Sequence, residues 1–167
     1  GKEIDGTGKY IMPGFFDMHG HIKSWVDDPE DFNYEFKLQL AHGITTIVDP
    51  GCFAGLNVIL ATRDKSQKNE IVAPRIKAYD AFLHVMKPID YNTPEAVRSW
   101  VRELKKKGGD GIKFFGSYPD LMTAAVDESK KVGLGSMIHH SDNYTAHWDA
   151  LNSARAGIVS FEHFYGY

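Results

Sequence analysis

Four times along this chain a helix-length segment runs into a glycine, and a short apolar stretch follows it. Gly43 closes Asp31–His42 ahead of Ile44–Val48, and Gly108-Gly109 closes Pro94–Lys107 ahead of Gly111–Phe115. Gly133 closes Pro119–Val132 ahead of Ser136–His140, and Gly157 closes Thr145–Ala156 ahead of Ile158–His163. Glycine is favoured just past a helix end because it accepts the left-handed conformation that frees the chain to turn away. Two more strands are expected at Phe15–His19 and at Arg75–Leu83, with a weakly patterned helix over Leu56–Gln67. Ile44–Val48 is β-branched throughout and reads as a buried strand that stops at the turn signal Asp49-Pro50-Gly51. The clearest helix has Thr93 as N-cap, Pro94 in its first turn, and Val97, Trp100, Val101 and Leu104 along one stripe. Lys105, Lys106 and Lys107 then place positive charge where the helix dipole favours it, a solvated helix end rather than a binding patch. Six βα-type repeats without a hairpin signal imply an α/β fold with a parallel sheet, either a (β/α)8 TIM barrel or a doubly wound sheet. No G-x-G-x-x-G follows the first strand, which weighs against the nucleotide-binding version of the second.

The bulk numbers narrow the functional classes. At 167 residues, with 43% hydrophobic and 25% charged residues, the chain has the size and composition of one soluble globular domain. A net charge of −3 gives no reason to expect nucleic acid or an anionic membrane as partner. Cys52 is the only cysteine, so no intrachain disulfide forms, and no apolar run approaches the ~20 residues of a membrane span. A small-molecule substrate is the expected partner, a homo-oligomer stays open, and the compartment, cytoplasmic or periplasmic, is not legible.

Chemistry-bearing residues gather at the strand ends. Phe15-Phe16-Asp17-Met18-His19-Gly20-His21 ends an apolar run in two histidines one residue apart. On a strand, side chains alternate faces, so His19 and His21 share one and make half of a metal site. Lys113 sits inside the apolar run Gly111-Ile112-Lys113-Phe114-Phe115, where an ammonium is costly unless paired, neutralised or modified. The fifth strand ends in His139-His140 and the sixth in Phe161-Glu162-His163. Each feature alone has an ordinary explanation: surface histidines, an ion-paired lysine, a satisfied polar group. Their joint occurrence at regularly placed strand ends does not, and in parallel barrels catalytic groups gather at the C-terminal ends of strands.

These residues carry a family resemblance. Asp5-Gly6-Thr7-Gly8-Lys9-Tyr10-Ile11-Met12-Pro13-Gly14-Phe15-Phe16-Asp17-Met18-His19-Gly20-His21 closely resembles the first barrel strand of the amidohydrolase superfamily. Ala41-His42-Gly43-Ile44-Thr45-Thr46-Ile47-Val48-Asp49 is similar to its second-strand signature. Ser136-Met137-Ile138-His139 and Ala156-Gly157-Ile158-Val159-Ser160-Phe161-Glu162-His163 resemble its fifth and sixth strands. The likeness is strongest to the imidazolonepropionase- and prolidase-like branch with a carboxylated lysine. It implies two divalent metal ions, zinc being well suited to imidazole and carboxylate-type oxygen. His19 and His21 would bind the more buried ion, and His139 and His163 the second. Lys113, carbamylated, would bridge the two. His139 is favoured over His140 because it directly follows the approach Gly133–Ile138, where the family places its ligand, and His140 would face away or touch substrate. Asp17 reads as a structural partner rather than a ligand. The implied reaction is hydrolysis of an amide or related C–N bond by a metal-activated bridging hydroxide, with the scissile carbonyl polarised by one ion.

The family also uses an aspartate at the end of the eighth strand, which binds metal and shuttles the proton to the leaving group. This chain ends at Tyr167, just past the sixth predicted strand, and Asp142 and Asp149 lie in the fifth βα connection. The expectation is therefore a fragment: residues 1–10 the remnant of a flanking β-sandwich, residues 11–167 an incomplete barrel. Alternatives are a non-catalytic metal-binding remnant of the fold and a mononuclear deaminase-like relative in which no lysine bridges. Tyr79, Asp80, His84, Tyr118 and His140 lie near predicted strand ends, where they could reach a substrate or be plain loop structure. Phe164, Tyr165 and Tyr167 could floor an apolar pocket.

Overall fold

The computed structural model describes residues 1–22, 31–82 and 92–163. Its elements alternate: β1 (Phe15–Asp17), α1 (Asp31–Ala41), β2 (Ile44–Gly51), α2 (Leu56–Gln67), β3 (Arg75–Phe82) and α3 (Pro94–Lys107). They continue with β4 (Gly111–Phe114), α4 (Pro119–Val132), β5 (Gly135–His139), α5 (Ala150–Ala156) and β6 (Ser160–Glu162). The strands form one sheet in the order β1-β2-β3-β4-β5-β6, every neighbouring pair parallel. A doubly wound sheet reverses its strand order partway; this one never does, so it is an arc of a TIM-type barrel. Residues 1–14 contain one turn near Thr7 and no strand, and are exposed. No helix among the described residues is long and apolar enough to cross a membrane.

The two faces of the arc follow from strand alternation. In β4, Ile112 and Phe114 point outward into a core with Phe82 of β3, Val97, Val101 and Leu104 of α3, and Met122, Ala125 and Val126 of α4. A second core lies under α1 and α2, where Phe36 and Ile59 meet Ile47, Ile76 and Ala78. Thr93 caps α3 as expected, its hydroxyl accepting from the Ala96 N–H at 3.3 Å, a bond worth about 1 kcal/mol. The opposite face of β4 carries Lys113, flanked in register by Ala81 of β3 and Met137 of β5. On that inner face Tyr79 lies across the first residues of β4 and β5. A Cβ at Gly135 would stand 2.1 Å from its hydroxyl, and one at Gly111 2.3 Å from its ring.

Several element bounds differ from the sequence expectation: β6 is Ser160–Glu162 rather than Ile158–His163, α1, β4 and β5 shift by one residue, and three further differences have a clear local reason. β1 ends at Asp17 rather than His19, because the Asp17 carboxylate accepts the His19 N–H at 2.9 Å and turns the chain. The two histidines therefore lie beyond the strand, and strand alternation does not explain why they meet. β2 runs on through Asp49-Pro50-Gly51, which pair with Ala78, Tyr79 and Asp80 of β3. Pro50 is tolerated because, two residues on from Val48, it faces the β1 edge. Among the described residues, the backbone bond to that edge past β1 runs from the Gly20 N–H to the Val48 carbonyl, β1 having turned away. α5 begins at Ala150, not Thr145: Asp149 accepts the Asn152 N–H at 2.8 Å and starts the helix, while Tyr144–Trp148 fold into turns.

Candidate active site

Four imidazoles meet at the C-terminal ends of the strands. His19 and His21 come from the turn after β1, with ring centres 5.0 Å apart and nearly perpendicular. His163 follows β6 and lies 4.9 Å from His19; His139 ends β5 and lies 4.9 Å from His163. His163 sits at φ 66°, a left-handed conformation that a non-glycine residue holds only at a cost of order 1 kcal/mol or more. Local sequence preference does not supply that conformation.

Glu162 organises this row. Its carboxylate meets His19 Nδ1 at 2.5 Å and accepts the Ser160 hydroxyl at 2.5 Å. Burial works to raise the Glu162 carboxyl, but the hydrogen bonds from His19 and Ser160 and the nearby Lys113 outweigh it, leaving it below the usual range. A carboxylate on one imidazole nitrogen fixes the tautomer and makes the other nitrogen the lone-pair donor. Nothing in the bare pair Glu162-His163 signalled this; the parallel register that sets Glu162 beside His139 does.

Lys113 is 1% exposed, and its amine has no hydrogen-bond partner. Burial pulls it down from the ordinary 10.5 to about 8, with Glu162 acting weakly in the opposite direction. Burial likewise lowers His21, His139 and His163, reinforced by Lys113 and by neighbouring imidazoles. These three rings are therefore neutral near pH 7, the form in which imidazole can bind a metal. Asp49, fully buried behind His21, is pushed up to about 7 by burial. One carboxylate oxygen faces the Ile22 N–H at 3.5 Å and His21 Nδ1 at 4.0 Å, while the other has no partner.

Two phenyl rings complete the surround. Phe53 lies 5.4 Å from His21, Phe115 lies 5.4 Å from His139, and the two are 6.5 Å apart. The Lys113 amine stands 5.9 Å from the Phe115 ring centre. Neither phenylalanine was marked by the sequence reading, because an apolar residue just past a strand looks like any other core residue.

The remaining candidates lie elsewhere. His140 is buried on the far side of the strand, its Nε2 2.9 Å from the Ser153 hydroxyl of α5, which also receives the Trp148 indole N–H at 2.8 Å. Its ring packs 5.7 Å from Phe161. Tyr118 is half exposed in a loop cluster with Tyr144 and His147, outside the ring circuit. Tyr79 sits toward the opposite end of the strands, and Asp80 accepts the Ala81 N–H. His84, Phe164, Tyr165 and Tyr167 lie outside the described residues.

The donor set suits divalent ions: neutral imidazoles, a carboxylate that orients one of them, and a buried amine with nothing to bind. Among the described residues, no three His, Cys, Asp or Glu side chains already converge as a closed metal cage. What the fold supplies is a cluster of donors facing one another at the strand ends, the layout of a barrel enzyme site.

Comparison with known proteins agrees with that class. No protein-family model matches the chain. An adenine deaminase from Clostridium perfringens is 50% identical over 48 residues, 28% of this chain and 8% of the relative. A dihydropyrimidinase from Rattus norvegicus is 27% identical over a 157-residue alignment, 81% of this chain and 27% of the relative. Among solved structures, a Bifidobacterium longum protein classed as a prolidase superposes with a TM-score of 0.72 at 26% identity, over 96% of this chain and 42% of its own. A Xaa-Pro dipeptidase solved with methionine in its active site gives a TM-score of 0.68 at 23% identity, over 90% of this chain and 48% of its own. Sequence relatives and fold neighbours together support the likeness to the amidohydrolase superfamily. The chain spans less than half the length of each of these proteins.

Proposed function

We propose that this chain carries metal-binding machinery of a hydrolase that cleaves an amide or related C–N bond in a small molecule. The observation that supports it most directly is the row of four imidazoles beside a buried, unpartnered Lys113 at the strand ends. His19 and His21 would hold one divalent ion and His139 and His163 a second, zinc being the best suited to the donors. When bound, such ions polarise the scissile carbonyl and make water nucleophilic near neutral pH. The chain's own residues prepare the site for that chemistry. Glu162 holds His19 in one tautomer, and burial keeps the other three imidazoles unprotonated. Lys113 is deprotonated more readily than an ordinary lysine, so its amine could take up CO2, releasing one proton and leaving an anionic carbamate that would offer oxygen ligands to a divalent ion.

The adenine deaminase relative keeps a deaminase-like second reading open; in a mononuclear version of it one ion would serve the reaction and Lys113 would stay a free amine. Intact mass and metal content of the zinc-loaded chain separate the two. The first predicts one added CO2, lost in Lys113→Ala together with one metal equivalent; the second predicts an unmodified mass and one ion. Hydrolysis of N-acyl amino acids, dipeptides and cyclic amides by the longest natural form of the protein tests the reaction class. A correctly folded, zinc-loaded protein inert toward all three overturns it.

A further inference from the structure

The rings at the strand ends form a closed circuit: His21, His19, His163, His139, Phe115 and Phe53, with neighbouring centres 4.9 to 6.5 Å apart. One arc is four imidazoles; the other is two phenyl rings. Phe115 is nearly buried and its place follows from β4, but Phe53 remains 39% exposed. Its position is set by an unusual backbone. Cys52, a buried non-glycine residue, sits at φ 46°, and Gly51 at φ 134°. The Phe53 ring folds back over Gly51 so closely that a Cβ there would stand 2.8 Å from the ring tip. A left-handed conformation at a buried non-glycine residue is disfavoured, and here it delivers an apolar ring to the rim of a polar site instead of to the core.

We infer that Phe53 and Phe115 form an apolar subsite that receives an uncharged aliphatic or aromatic side chain of the substrate, carried beside the bond to be cleaved. The inference rests on the hydrolase reading for what that side chain is attached to; the wall itself rests on the ring geometry alone. An apolar group laid against two phenyl faces removes surface from water on both partners. A carboxylate placed there would lose hydration against the negative faces of the two rings, whereas an apolar group loses nothing. The subsite therefore selects among substrates by the group next to the scissile bond, while the imidazole arc handles the bond itself.

Neutral amides test the wall without requiring catalysis. Binding of N-acetyl-phenylalanine amide, N-acetyl-leucine amide and N-acetyl-glycine amide to the metal-free chain is followed by NMR with ring-labelled phenylalanine. The two apolar amides are expected to bind about tenfold tighter than the glycine amide and to shift the Phe53 and Phe115 ring signals. Phe53→Ala should reduce that preference to about twofold, and Phe53→Leu should retain most of it. Equal affinities for the three amides in the parent chain overturn the inference, as does a preference that survives Phe53→Ala. Should Phe53→Ala not fold, the ring shifts and Phe53→Leu decide: apolar amides that leave both ring signals unmoved overturn it. Turnover measured separately on the zinc-loaded protein keeps the two ideas apart. Apolar selectivity without hydrolysis sinks the hydrolase reading alone, and hydrolysis blind to the side chain and to Phe53→Ala sinks the subsite alone.

Discussion

Replacing Lys113 with methionine should stabilise the metal-free protein, and by an amount that depends on pH. The amine is 1% exposed, flanked in register by Ala81 and Met137, and has no hydrogen-bond partner. Burial lowers it from 10.5 to about 8. That drop corresponds to about 3 kcal/mol of preference for the unprotonated amine in the native state. The sign follows from proton counts. Between about pH 8 and 10.5 the unfolded chain holds a proton that the native chain has released, so native stability rises with pH through that window. Below about pH 8 the native state bears the full cost, and above 10.5 it bears none. Methionine fills similar space with no charge, so Lys113→Met should exceed the parent by about 3 kcal/mol at pH 7, plus a pH-independent packing difference, in CO2-free, metal-free buffer. Urea unfolding at pH 7, 8, 9 and 10 reads the gap, which should narrow steadily. A gap constant across that range refutes the burial argument. Adding bicarbonate and zinc should reverse the order at pH 7, since only the lysine can form a carbamate and gain stability by binding metal.

Three other perturbations probe the supports of the site. Glu162→Gln removes the carboxylate that fixes His19 and should weaken zinc binding by about 10- to 100-fold in calorimetry with little change in urea midpoint; unchanged affinity would count against the orienting role. Ser153→Ala strips a buried partner from both His140 and the Trp148 indole and should cost about 1–3 kcal/mol of stability. Its zinc stoichiometry should not change, and a lost metal equivalent would place His140 in the site after all. Gly135→Ala drives a methyl into Tyr79 and should cost about 1–3 kcal/mol or more, recovered in part by Tyr79→Leu; a neutral Gly135→Ala would show that Tyr79 can move aside.

Much of the fold was legible because it is written in local chemistry. The glycines that close the helices, Thr93 ahead of Pro94 and the β-branched run Ile44–Val48 mark elements that the structure contains. The sheet order, which separates a barrel arc from a doubly wound sheet, depends on which strands pair, and no periodicity reports that. The ends of elements were less legible wherever a side chain competed with the backbone. Asp17 turns the chain two residues before the expected end of β1, and Asp149 starts α5 five residues late. Pro50 lies within a strand because the edge it faces no longer carries β1, a tertiary circumstance invisible in Asp49-Pro50-Gly51.

The histidines were singled out by their places near strand ends and Lys113 by its apolar setting within β4, and the fold brings the rings of His19, His21, His139 and His163 together. The reason given for His19 and His21 meeting was incomplete, since a turn rather than strand alternation brings them side by side. Glu162, Asp49, Phe53 and Phe115 were missed because their significance lies in contacts across strands. Glu162, on the last strand of the arc, reaches a histidine in the turn after the first, and Phe53 reaches the circuit only through the backbone at Gly51 and Cys52.

The most direct test of the account is the position of zinc in a crystal of the chain grown with bicarbonate, located by anomalous scattering at the zinc edge. The account predicts two ions between Lys113 and the imidazoles, one against His19 and His21 and one against His139 and His163, with extra density on the Lys113 amine. Zinc bound only at surface histidines such as His42, with the ring circuit empty in a well-folded chain, would contradict it.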